Sequence, residues 1–165
     1  MHPAVIDYVS TVSPTDATRV LEFGSRDING TTRDVFAAAD HYVGVDPVEG
    51  PAVDIVGDAA TIDLGEQFDV VVCTEVIEHV DDVTAAGICE NAWRHLAAGG
   101  VFVATMAGIG RHEHSAVDGR ELKPGEFYRN VDEPLLAFWL RQAGFARFDI
   151  DIDGVDIRCT AWRGR

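Results

Sequence analysis

The chain has little of what marks a membrane, secreted or zinc-stapled protein. No apolar run reaches 18 residues, so no helix drawn from it would span a bilayer. The opening, Met1-His-Pro-Ala-Val-Ile-Asp-Tyr8, has neither the basic start nor the apolar stretch of a secretion signal, and a cytoplasmic location is expected. Cysteine is scarce. Cys73, Cys89 and Cys159 show no C-x-x-C spacing, which argues against a structural zinc site or a disulfide framework. Lysine occurs once, at Lys123, and the formal net charge of −15 opposes phosphate backbones and anionic membranes. Four cations, Arg111, Arg120, Lys123 and Arg129, nevertheless fall close together, as a solvated loop or as a substrate-binding patch. Repeats, low-complexity tracts and linkers are absent too. The 165 residues, 47% hydrophobic, are enough to build one core.

The periodicities that are present alternate between helix and strand. Pro3 to Val12 has helical spacing, and Arg19 to Phe23 reads as a first strand. Thr31 to Ala39 is expected to be a short helix, and His41 to Val45 a second strand. Pro47-Val-Glu-Gly-Pro51 leaves no room for a crossover helix before a third strand at Val53 to Val56, so that helix should be missing or reduced to a turn. Phe68 to Thr74 holds a continuous apolar run, as expected of a strand covered on both faces. A helix over Val83 to Leu96 should stop at Ala97-Ala-Gly-Gly100, followed by a fifth strand over Val101 to Met106. Residues 107–131 have no period, which in a compact domain points to a functional or mobile loop. A last helix, Glu133 to Ala143, stops at Gly144. Two strands, Phe145 to Ile152 and Val155 to Trp162, flank an Asp153-Gly154 turn. The fold class implied is α/β: a doubly wound, seven-stranded, mostly parallel sheet with a C-terminal antiparallel hairpin and a reduced helix after the second strand.

The chemistry concentrates at strand ends. Val20-Leu-Glu-Phe-Gly-Ser-Arg-Asp-Ile-Asn-Gly30 runs from a strand into a polar, glycine-bounded turn, and Tyr42-Val-Gly-Val-Asp46 ends in an acid about twenty residues later. A strand, a turn that offers backbone N–H groups, and an acid able to accept from both ribose hydroxyls is a layout for a nucleoside-type cofactor. Glu22, beside the glycine turn, needs a partner to offset its burial.

These segments resemble the class I S-adenosylmethionine-dependent methyltransferases, with a Rossmann-like fold over residues 1–165 as one domain. By position, Glu22-Phe-Gly-Ser25 resembles the first motif, where the turn cradles the methionine portion, which implicates Glu22, Gly24, Ser25 and Arg26. The chain departs from the alternate-glycine pattern, because Ser25, Arg26 and Asp27 stand before Gly30, so this loop must follow another path. Asp46, with Pro47 after it, matches the ribose-binding acid. Gly57-Asp58-Ala59 resembles the motif in which the acid and the next backbone N–H read adenine, and Thr74-Glu75-Val76 matches the strand end beside the methionine half.

Glu75-Val-Ile-Glu78-His79 is the second concentration of chemistry. On a helical turn Glu75, Glu78 and His79 would share a face, a set suited to a divalent cation, with His79 and Glu78 as catalytic groups. The same pattern is similar to that of ubiquinone-pathway O-methyltransferases and small-RNA 3′-end ribose methyltransferases. His112, His114, Tyr128 and Arg129 of the aperiodic loop are further candidates for orienting an acceptor. The function implied is methyl transfer to an oxygen or nitrogen of a small-molecule acceptor. Metal-assisted RNA ribose methylation, a non-catalytic cofactor-binding protein and a nicotinamide-dependent oxidoreductase are the rivals. No membrane partner is expected, acidity disfavours nucleic acid, and the oligomeric state is unreadable.

Overall fold

The computed structural model describes residues 2–164. In chain order the elements are α1 (Pro3–Val12), β1 (Arg19–Phe23), β2 (His41–Asp46), β3 (Ile55–Val56), β4 (Phe68–Thr74), α2 (Asp82–His95), β5 (Leu96–Ala107), α3 (Glu133–Ala143), β6 (Arg147–Asp153) and β7 (Asp156–Trp162). Single 3-10 turns lie at Arg33–Phe36 and Ile77–His79. The sheet order is β3-β2-β1-β4-β5-β7-β6. Only β7 runs antiparallel to its neighbours, pairing with both β5 and β6. The order reverses between β1 and β4, and the crevice at such a reversal, outside the strand carboxyl ends, is where ligands bind.

Strand alternation builds a core on each face. Leu21, Phe23, Val71, Cys73, Phe102 and Ala104 face α2 and α3, while Val20, Val70, Val72, Val101 and Val103 face α1 and the Phe36 turn. Helix boundaries follow local chemistry. Asp81 caps α2 by accepting from Thr84 N, and Asp132 caps α3 by accepting from Leu135 N. Gly144 ends α3 in the left-handed conformation (φ 106°). The three cysteines are buried thiols. No helix among the described residues is long and apolar enough to cross a membrane.

Several expected boundaries are corrected. The Thr31 to Ala39 helix is one 3-10 turn, because Thr32 is tied down by Glu22 and β2 starts too soon for propagation. The third strand shrinks to two residues, since Asp54 is diverted to accept from Gly44 N and to pair with Arg33. No helix joins β2 to β3, and the chain turns instead through Ala52 at φ 65°. Ala97 to Gly100 are strand rather than a helix terminus: Leu96 already pairs with Phe68, and a register shift between Phe68 and Val70 absorbs the extra residues. In the hairpin Asp153 pairs with Asp156, so the turn residues are Gly154 and Val155. Phe145 precedes the strand and stacks on Phe102 in the core (5.9 Å, 18°).

Candidate active site

The carboxyl ends of β1, β2 and β4 meet around one cleft of about 340 Å³. At the tip of β1, Gly24 N and Ser25 N donate to Val45 O (2.8 and 3.1 Å), which turns the chain sharply across β2. Gly24 has φ 76°, and a Cβ there would overlap Val76 Cγ2, so glycine lets the turn after β1 pack against the segment that follows β4. The atypical loop after it closes on itself. Gly30 N donates to Asp27 Oδ1 (2.7 Å) and Asp27 N to Pro51 O (2.9 Å), so an aspartate does the turning that a second glycine would do. Ser25 Oγ is buried with no hydrogen-bond partner among the described residues.

Asp46, at the end of β2, accepts from Val48 N (2.9 Å) and Arg26 N (3.3 Å), so its carboxylate sets both flanking loops. Asp58 accepts from Ala60 N (2.8 Å) and holds the next turn against the cleft. Glu22 is almost wholly buried. Its two oxygens accept from Thr32 Oγ1 (2.5 Å) and Tyr42 Oη (2.8 Å), which answers the need for partners. Burial raises its pKa, and those hydrogen bonds only partly offset it.

All eleven residues expected to hold the cofactor line this cleft: Glu22, Gly24, Ser25, Arg26, Asp46, Pro47, Asp58, Ala59, Thr74, Glu75 and Val76. The sequence reading missed its apolar wall, Ile28, Val80, Ile88, Ala116 and Val117. Ile88 sits within the helical pattern, but Ala116 and Val117 belong to the aperiodic loop and carry no periodic signal.

A second cavity of about 1070 Å³ opens beside the cleft, and the two share Ile28, Asn29, Glu75, His79 and Ala116 as wall. Residues 110–116, with His112 and His114, form its far side. Glu75 stands at the junction in the left-handed region (φ 57°), a strained conformation for a side chain of this size. It is held by Thr105 Oγ1, which donates at 2.9 Å, and by Arg111 Nη1 at 2.7 Å; the same guanidinium nitrogen reaches Asp156 at 2.7 Å.

Glu78 lies fully buried beneath that wall. Its Oε1 accepts from Ala107 N (3.1 Å) and its Oε2 has no partner. Burial, reinforced by the charge of Glu75, pushes its pKa up to about 8. His79 packs edge-on against His114 (4.9 Å) and Tyr128 (5.5 Å), and its buried Nδ1 is likewise without a partner. Burial, with His114 nearby, pushes its pKa down to about 4.

The expected metal set Glu75, Glu78 and His79 is not the one brought together. The carboxylate and imidazole ligand atoms that lie within 4.8 Å of one another belong to Glu78, His79 and His114. Glu75 is diverted because the chain is not yet helical there and Arg111 claims its carboxylate. Two loop candidates also move. Arg129 stacks on Trp139 (4.7 Å) and pairs with Asp82, away from the cavity, while Tyr128 donates to His112 O (3.1 Å) and braces the loop. Of the four cations close together in sequence, Arg111, Lys123 and Arg129 are each paired with an acid of this chain, which leaves little of an open basic patch.

The model of the family described as a methyltransferase domain, Methyltransf_23, matches residues 1–148. No curated protein sequence matches the chain. Among solved structures, the chain is similar to PigF with SAH, at 18% identity and TM-score 0.66, over 98% of this chain and 54% of that one. It thus spans about half the length of PigF. It is similar to DhpI in its SAH complex at 19% identity and TM-score 0.72, covering 98% and 83% of the two chains. A Burkholderia thailandensis 1,6-didemethyltoxoflavin-N1-methyltransferase, solved with bound 1,6-didemethyltoxoflavin and S-adenosylhomocysteine, is similar at 18% identity and TM-score 0.68, over 98% and 79%. At such identities the likeness concerns the fold.

Proposed function

We propose, because the chain belongs to the methyltransferase-domain family, that residues 1–165 act as one domain that moves a methyl group from S-adenosylmethionine to an oxygen or nitrogen of a small-molecule acceptor. The observation that carries the reading is the pair of adjoining cavities: a cleft lined by all eleven cofactor candidates, opening across Glu75 and His79 into a larger chamber.

The cleft's chemistry fits the donor. Asp46 spends one bond on each flanking loop and keeps acceptor capacity for ribose hydroxyls. Asp58 and Ala59 line the same cleft and would read the adenine edge. Gly24 permits close backbone approach at the turn, and Ser25 beside it lines the cleft. Bound there, S-adenosylmethionine supplies a methyl group on a positively charged sulfur.

The protein's own contribution is alignment and exclusion of water, since an in-line displacement gains most from a fixed approach. Ile28, Val80, Ile88 and Val117 form a dry wall, and Glu75 sets the border between donor and acceptor. The acceptor oxygen or nitrogen gives an electron pair to the methyl carbon, the carbon–sulfur pair returns to sulfur, and the acceptor's proton must leave. His79, on the wall that the two cavities share, would receive it, with Glu78 buried beneath.

Calorimetric titration of the purified chain with S-adenosylhomocysteine tests the reading, and one binding site is expected. A folded protein that binds none of it, yet is stabilised by NAD in a thermal melt, would transfer the cleft to oxidoreductase chemistry.

A further inference from the structure

The buried cluster behind the acceptor chamber is built for something the methyl donor does not occupy. Glu78 is fully buried, yet one of its carboxylate oxygens has no partner among the described residues. A buried carboxyl oxygen in that position is costly to leave without a hydrogen bond. Arg111, the nearest candidate counter-charge, already spends its Nη1 on Glu75 and Asp156. His79 Nδ1 is a second buried atom without a partner, on the next residue. His114 comes from the other side, on the 107–131 loop, with its ring against His79 and Tyr128. Its Nδ1 lies 3.2 Å from His112 O, and with Nδ1 donating to that carbonyl the lone pair is on Nε2.

We infer that Glu78, His79 and His114 form a binding site for a divalent transition-metal ion, open on its remaining side to the acceptor chamber. Two imidazoles and one carboxylate, with a free coordination position, suit zinc, iron(II), manganese or cobalt rather than calcium or magnesium. The ligand atoms lie within 4.8 Å of one another, and tetrahedral bonds of about 2.1 Å need them about 3.4 Å apart. The three ligand atoms therefore have to close in by up to about 1.4 Å when an ion binds. Two other ligand types are engaged elsewhere: Glu75 is withheld by Arg111 and Thr105, and the three cysteines are buried thiols.

The ion's role rests on the methyl-transfer reading, although the site itself does not. A cation at this position lowers the pKa of an acceptor hydroxyl beside it, so the proton passes to solvent and the oxygen pair is free to attack the methyl carbon. With the ion bound, His79 serves as ligand rather than base. The acceptor class that follows is an oxygen nucleophile, a phenol, enol or sugar hydroxyl, in preference to an amine.

The test uses the full chain, stripped with a chelator and titrated with cobalt(II) in the absence of any methyl donor. One equivalent is expected, with visible absorption of a four- or five-coordinate ion carrying imidazole ligands. His114→Ala, on the loop, and Glu78→Gln, nearly isosteric, should each weaken binding at least tenfold, whereas His112→Ala should retain the spectrum. Absence of stoichiometric cobalt binding overturns the site, as does His114→Ala binding cobalt like the parent. S-adenosylhomocysteine binding by the stripped protein is measured in parallel. Cobalt bound without S-adenosylhomocysteine would sink the donor reading and spare the metal site; the reverse result would do the opposite.

Discussion

Asp46→Asn is the sharpest perturbation of the donor cleft. In the parent, one carboxylate oxygen accepts from Val48 N at 2.9 Å and the other from Arg26 N at 3.3 Å. A carboxylate offers about four acceptor sites, so about two remain for a pair of ribose hydroxyls. The amide keeps one oxygen, which can hold the shorter bond to Val48, but its NH₂ then faces Arg26 N as donor to donor. Loss of the long Arg26 bond should cost the free protein ~1 kcal/mol. Binding loses more. Hydrogen bonds to a charged acceptor are worth about 1.5–3 kcal/mol each, and replacing one by a poorly matched amide should cost ~2–4 kcal/mol, or roughly 30- to 1,000-fold in Kd. The assay is calorimetry with S-adenosylhomocysteine at constant ionic strength. Asp149→Asn, an exposed change of the same charge on β6, controls for long-range fields in a chain of net charge −15. If Asp46→Asn folds and binds within threefold of the parent, while Asp149→Asn behaves the same way, Asp46 is an ordinary loop acid.

Three other outcomes follow from the same geometry. Gly24→Ala combines a left-handed backbone with overlap against Val76, and should lower stability by ~2–3 kcal/mol in urea denaturation while abolishing S-adenosylhomocysteine binding. Burial would raise the pKa of Asp69, but bonds from Thr18 N, Thr18 Oγ1 and Arg19 N outweigh it and hold the value below 3.8. The folded state therefore stays ionised where the unfolded chain takes up a proton, so this stabilisation is present above pH 3.8 and disappears as pH falls below it. Asp69→Asn should flatten that acid limb in urea midpoints measured across pH; an unaltered limb would discard the assignment. Arg111→Met frees Glu75 and Asp156 together, and should cost ~1–3 kcal/mol and speed proteolytic cleavage within residues 107–131. Unchanged cleavage would mean the loop is held from elsewhere.

The order of elements was legible because each depends on local pattern. The Val70 to Cys73 run, the Asp132 cap with Gly144, and the prolines at 47 and 51 each act within a few residues. Boundaries failed where distant partners decided them. Leu96 is drawn into strand by Phe68, and Thr32 is pinned by Glu22 before a helix can grow. The same division runs through the site. Donor residues sit at strand tips, which topology alone brings to one crevice. The choice of His114 over Glu75 beside Glu78 depends on a left-handed backbone at one residue and an arginine 36 positions later, neither visible in local spacing.

Glu75 is where those two levels meet, and its backbone makes a final test. An L residue at φ 57° pays roughly 1–2 kcal/mol that glycine would not. The chain tolerates this because Glu75 N donates to Thr105 O at 2.8 Å and the side chain is gripped by Thr105 and Arg111. If strain is stored there, Glu75→Ala loses the grip and keeps the strain, while Glu75→Gly loses the grip and releases it. Glycine also makes the unfolded chain more flexible, which takes back some of the gain. Glu75→Gly should therefore melt above Glu75→Ala, by ~1 kcal/mol in urea denaturation, the reverse of the usual order of those residues. Both should bind S-adenosylhomocysteine poorly, because the wall between donor and acceptor would be gone. If alanine proves the more stable of the two, the left-handed turn is not under strain, and Arg111 holds Glu75 for the sake of charge alone.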